Sequence, residues 1–185
     1  MNTALILVDV QNDYFKGGRN ELVNPEQSVA QAERALTLFM EKDLPIIYIQ
    51  HINLQEGATF FLPNSDGIKI HEQIYPLAKE KIITKHFPDS FFKTELHEYL
   101  KALDIKRLVI CGMMSHMCID TTVRMAKQLG YEVLLLADAC TTKDLSWKDT
   151  LIPAEIVHQT FMASLQGTFA KVIDTDCLEY EISAI

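Results

Sequence analysis

The chain has 185 residues, 48% hydrophobic and 23% charged, a balance that suits one globular domain and excludes an intrinsically disordered polypeptide. A formal net charge of −8 leaves no broad basic surface for phosphate backbones, so nucleic acid is excluded as an expected partner and small molecules fit better. The opening MNTALILVDVQNDY has no basic n-region, and Asp9 cuts its apolar run far short of a signal or a membrane span, so a cytoplasmic protein with no membrane role is expected.

ALILV at positions 4–8 is a short, continuous apolar run, the pattern of a strand buried on both faces, and Asp9 closes it. Asn24 and Pro25 open a helix over PEQSVAQAERALTLFMEKD, whose apolar residues recur at three- and four-residue spacing. PIIYIQ (45–50) reads as the second strand. The stretch from His51 to about His71 is longer than an ordinary connection and carries Phe60 and Phe61 side by side, which marks it as functional or part of an interface. KIIT (81–84) is a third strand, followed by Lys85, and Thr94 opens a helix over TELHEYLKALD. RLVICG (107–112) is a fourth strand, and a helix from Ser115 closes at Gly130. EVLLLAD (132–138), a helix over IPAEIVHQTFMASLQG closing at Gly167, and AKVID (170–174) complete the series.

Strands and helices alternating in this way require crossover connections, which place helices on both faces of a parallel sheet. The expected fold is α/β: a three-layer, open, mainly parallel sheet of about six strands, forming a single domain over residues 1–185. No repeat, low-complexity tract or linker divides it.

In such a sheet, ligands bind beyond the carboxyl ends of the strands, where Asp9, Lys85 and Cys118 fall. Of the four cysteines, Cys111, Cys140 and Cys177 lack such company and read as structural, and no CxxC spacing points to metal or disulfides. An isolated cysteine in an apolar helix is ordinarily a small core residue. Cys118 is different because it is expected in the opening turn of a helix, where unpaired N–H groups and the helix dipole favour thiolate. A neighbouring Lys85 would lower its pKa further, and Asp9 would accept its proton. Backbone N–H groups around Met114 and Cys118 are placed to bind an oxyanion.

The segments ALILVDVQNDYF, ITKHFPDSFFKTELHEYL, LVICGMMSHMCIDTTVRMAKQLGYEV and LLLADACTT resemble, in order and spacing, the cysteine hydrolases of the isochorismatase-like superfamily, over nearly the whole chain. The aspartate after strand one, the lysine after strand three and the glycine six residues before the cysteine are present as Asp9, Lys85 and Gly112. The resemblance implies that Asp9, Lys85 and Cys118 form a catalytic triad, that the Met113–Met114 peptide is cis, and that the N–H groups of Met114 and Cys118 form the oxyanion hole. It also implies a homodimer or homotetramer in which a neighbour's loop can close the site.

Nicotinamidases of this superfamily carry an aspartate and histidines after strand two. Here YIQHINLQEG offers His51 without an Asp-x-His pair, and His71 lies well downstream, so neither a metal nor another cofactor is expected. Gln11, Phe15, His51, Phe60, Phe61, Phe87 and Trp147 fall in the rim loops and are expected to bind substrate. Isochorismatases proper hydrolyse a vinyl ether and lack the cysteine, so Cys118 favours cleavage of a small amide, carbamoyl compound or ureide through a thioacyl intermediate. The alternatives are the vinyl ether hydrolase and a catalytically idle relative that binds a small metabolite.

Overall fold

The computed structural model describes residues 2–183. Six strands form one sheet in the order β3-β2-β1-β4-β5-β8: β1 (Thr3–Val8), β2 (Ile46–His51), β3 (Lys81–Lys85), β4 (Arg107–Met113), β5 (Glu132–Thr141) and β8 (Lys171–Ile173). Every pairing in it is parallel. The helices α1 (Pro25–Glu41), α2 (Leu96–Ala102), α3 (Asp120–Gln128), α4 (Ala154–Leu165) and α5 (Leu178–Ser183) flank it. Burial follows the apolar patterns. TALILV and RLVICGM, with no polar alternation, are the central strands β1 and β4 and are buried throughout, whereas KIITK alternates and forms the edge strand β3.

The parallel register sets out the functional rim. Val8 lies opposite Ile49 and Gly112, and His51 lies opposite Lys85, so the carboxyl ends of β1, β2, β3 and β4 meet along one edge. Gly112 is required there. Its φ is +127°, and a Cβ at this position would come within 2.0 Å of the Val8 carbonyl oxygen of the neighbouring strand. The β4–β5 register also shifts between Ile110 and Gly112. Gly112→Ala is therefore expected to cost at least about 3 kcal/mol, combining a disfavoured dihedral with a backbone clash. Urea unfolding tests this, and a variant as stable as the wild type would contradict it.

The elements depart from expectation at three places. The helix expected over 115–130 is two pieces, a π-helical turn over Ser115–Ile119 and then α3. In the turn the Ile119 N–H donates to the Met114 carbonyl at 3.2 Å, the wider i→i+5 closure, so Cys118 is not in the first turn of an α-helix. Ser115 is not a cap either: its hydroxyl donates to the Thr141 carbonyl and pairs with His158 Nδ1. Residues 145–152 form a small antiparallel hairpin, β6 (Leu145–Trp147) and β7 (Thr150–Ile152), so the last long helix begins at Ala154, with Pro153 as its cap. The helix expected from Thr94 begins at Leu96, because the Thr94 hydroxyl turns back to the Ser90 carbonyl while accepting the Leu96 N–H. Among the described residues no helix is long and apolar enough to cross a membrane.

Candidate active site

Asp9 follows β1 with φ +52°, a left-handed conformation that aspartate tolerates better than most residues. Its N–H donates to the Ile49 carbonyl of β2 and its carbonyl accepts the Gln11 N–H, which anchors the turn on both sides. The side chain is fully buried. Lys85, at the end of β3, is equally buried and sets Nζ 2.7 Å from Asp9 Oδ2. The same ammonium donates to the carbonyls of Phe87 at 3.1 Å and Pro88 at 2.9 Å. An ammonium has three protons, so the three oxygens fix both its position and its charge.

Cys118 Sγ lies within 4.8 Å of both an Asp9 carboxylate oxygen and a His51 ring nitrogen. The two charged side chains and the thiol, expected from widely separated segments, thus meet at one rim. Asp9 Oδ1 is buried with no hydrogen-bond partner among the described residues. His51, expected at the rim as a substrate-binding residue, is their neighbour, its Nδ1 standing 3.6 Å from Asp9 Oδ2 and its ring tilted against Phe61. The Met113–Met114 peptide bond is cis.

The electrostatics correct one expectation. Burial and then the Asp9 carboxylate push the Cys118 thiol well above its ordinary pKa, and the opposing Lys85 charge does not offset them. The resting sulfur is a thiol, not the low-pKa thiolate expected of a helix start. Burial pushes Asp9 up as well, but Lys85, with help from His51 and Cys118, outweighs it and holds the carboxyl below its ordinary range. Burial pulls Lys85 down, and Asp9 with Cys118 more than restores it. Asp9 is therefore held ionised and Lys85 remains a cation. Removing the charge in Asp9→Asn removes a cause that raises the thiol pKa, so Cys118 alkylation by iodoacetamide is expected to accelerate at about pH 8. In the wild type the exposed Cys177 should react first. Peptide mapping checks both statements, and a variant in which Cys118 reacts more slowly would contradict the sign.

Apart from His51, the residues expected to bind substrate scatter. Gln11 is wholly buried, with its carboxamide spent on backbone: Oε1 accepts the His51 N–H, and Nε2 donates to the carbonyls of His51 and Ile68. It holds the end of β2 against Ile68. Phe15 stacks on His71 at 3.8 Å beside a cavity of about 680 Å³, none of whose lining residues is Asp9, Lys85 or Cys118. Phe61 is fully buried, and Phe60 is half-buried against it and Tyr14. The Phe87 ring packs on Phe92 under Lys93, and its contribution at the site is the carbonyl that holds Lys85. Trp147 is 69% exposed on the β6–β7 hairpin.

Two neighbours were not singled out in the sequence. Tyr14 is buried, and after burial itself the nearby charges of Cys118 and Asp9 are the causes that raise its phenol pKa. Asp13 accepts the N–H groups of Phe61 at 2.6 Å and Arg19 at 3.1 Å, tying the Phe60–Phe61 loop to the segment after β1. Both lie in the stretch VDVQNDY, where the second carboxylate, near the first, was the available signal.

The six-stranded parallel sheet flanked by helices matches the isochorismatase-like α/β fold. The chain belongs to the isochorismatase family, the Isochorismatase domain profile matching residues 3–177. It is similar to the uncharacterized isochorismatase family protein YddQ of Bacillus subtilis, 47% identical over 95% of this chain and 98% of that protein. It is also similar to the crystal structure of an isochorismatase-type hydrolase from Oleispira antarctica, with a TM-score of 0.92 and 42% identity, covering 96% of this chain and 95% of that one. A more distant relative is the streptothricin hydrolase of Streptomyces noursei, 30% identical over 77% of this chain and 50% of that protein. Another is the nicotinamidase of Escherichia coli, 26% identical over 80% of this chain and 86% of that protein. The chain is an isochorismatase-family hydrolase with amidohydrolase relatives.

Proposed function

We propose that the chain hydrolyses a C–N amide-type bond of a small molecule through a thioacyl-enzyme intermediate on Cys118, with Asp9 as base and Lys85 as the charge that stabilises Asp9. The observation that carries this reading is the buried triple of Asp9, Lys85 and Cys118, in which Lys85 Nζ is 2.7 Å from Asp9 and the sulfur is within 4.8 Å of it. Amide-cleaving relatives such as streptothricin hydrolase and nicotinamidase support the reaction class.

Because the sulfur rests as a thiol, attack and deprotonation are coupled. As Sγ bonds to the carbonyl carbon, its proton passes to Asp9, whose unpartnered Oδ1 is free to take it. The carbonyl oxygen becomes an oxyanion, bound by the N–H groups of Met114 and Cys118. Protonated Asp9 then delivers that proton to the leaving nitrogen as the C–N bond breaks, leaving a thioester and a free amine or ammonia. In the second half Asp9 takes a proton from water, hydroxide equivalent adds to the thioester, and the sulfur leaves with the proton. Lys85 stays charged throughout, bound by three oxygens. A vinyl ether hydrolase has no use for the thiol in this position.

Hydroxylamine tests the intermediate. During turnover of an amide substrate it should intercept the thioester and yield the hydroxamate at the expense of the acid. Acid as the sole product at every hydroxylamine concentration would contradict an acyl-enzyme.

A further inference from the structure

The same corner of the molecule offers a second chemistry. Cys118 Sγ, a His51 ring nitrogen and an Asp9 carboxylate oxygen, all buried, lie within 4.8 Å of one another. The donors of one tetrahedral zinc are separated by about 3.3–3.8 Å, given bonds of roughly 2.0–2.3 Å. His51 Nδ1 stands 3.6 Å from Asp9 Oδ2, the oxygen that holds Lys85, so the imidazole lies beside the carboxylate whose other oxygen, Oδ1, is left for a cation. An independent observation points to a ligand: Asp9 Oδ1 is buried and unpartnered, while Oδ2 holds Lys85. A thiol, an imidazole and a carboxylate with one position left open are the ligand types that select zinc over magnesium or calcium.

We propose that Cys118, His51 and Asp9 form a binding site for a thiophilic divalent cation of the zinc type, which caps the thiol reversibly. Binding replaces a proton: the Cys118 S–H bond breaks, a sulfur–metal bond forms, and one proton goes to solvent. Lys85 stays on the same carboxylate and repels the cation, so the site binds more weakly than a structural zinc centre and releases its ion to chelators. The ion covers both the sulfur and the orphaned oxygen. Binding itself does not depend on the hydrolase reading, but the inhibition that follows from it does.

Cobalt(II), a spectroscopic substitute for zinc, tests the site without any substrate, in a Cys177→Ser background that removes the exposed thiol. One equivalent should give near-ultraviolet thiolate-to-cobalt absorption and tetrahedral bands in the visible, displaced by zinc and abolished by EDTA. Cys118→Ser should lose the near-ultraviolet band. His51→Ala and the volume-preserving His51→Gln should each weaken cobalt binding by at least about tenfold. Absence of the band, its survival in Cys118→Ser, or unchanged affinity in both His51 variants would overturn the proposal. Cobalt ligation without amidase activity would sink the hydrolase reading alone, and amidase activity without ligation would sink this one alone.

Discussion

Cys118→Ala should lose amide hydrolysis by roughly 10⁴-fold or more while folding normally, because the covalent route vanishes with the sulfur. The fold has little stake in that atom. Removing one buried sulfur costs about 1 kcal/mol, and the turn that carries it is closed by backbone bonds from Met117 and Ile119 to the Met114 carbonyl. Far-ultraviolet circular dichroism and urea unfolding, run beside an ammonia-release assay, separate the two effects. A variant with wild-type turnover would place the nucleophile elsewhere, and an unfolded one would make Cys118 structural.

The second large effect is on stability. Lys85→Met strips the buried ammonium from a fully buried Asp9 carboxylate, a loss expected to cost about 3–5 kcal/mol. It should also end turnover, since Asp9 then resists ionisation. Asp9→Asn in the same chain removes the stranded charge, so the double variant should recover most of the lost stability yet none of the activity. The pH dependence follows the same pair. Asp9 titrates below its ordinary value in the folded chain, so its contribution is present above the unfolded carboxyl pKa and is lost as the pH falls through the folded one. Lys85→Met should therefore remove part of the acid sensitivity. A single variant as stable as the wild type, or a double variant less stable than Lys85→Met, would contradict the pairing.

Much of the architecture was legible because burial and sequence pattern coincide here. Unbroken apolar runs became the two central strands, the alternating KIITK became an edge, and Gly130 and Gly167 close their helices at positive φ. The rim position of Asp9, Lys85 and Cys118 follows from strand ends, which such runs mark well. Less was visible where one residue changes a hydrogen-bond ring. A π turn and an α turn have nearly the same apolar spacing, so the break after Ile119 left no trace in SHMCIDTTV. The sign of the thiol's pKa was hidden for a related reason: it depends on how deep the sulfur lies and how close Asp9 comes, and neither is a property of local sequence. Loop position does not say which way a ring turns, so the packing of the rim aromatics could not be read from the sequence. Gln11 shows this most clearly, a polar residue at the rim whose whole carboxamide serves the backbone of His51 and Ile68.

The central claim, acyl transfer to one sulfur, is tested most directly by intact-mass measurement of the protein quenched in acid after incubation with a pool of carboxamides, carbamoyl compounds and ureides. The account predicts a mass increase equal to an acyl group, mapped to the peptide containing Cys118 and absent from Cys118→Ala. Hydrolysis of a pool member with no adduct at any quench time, and undiminished in Cys118→Ala, would contradict it.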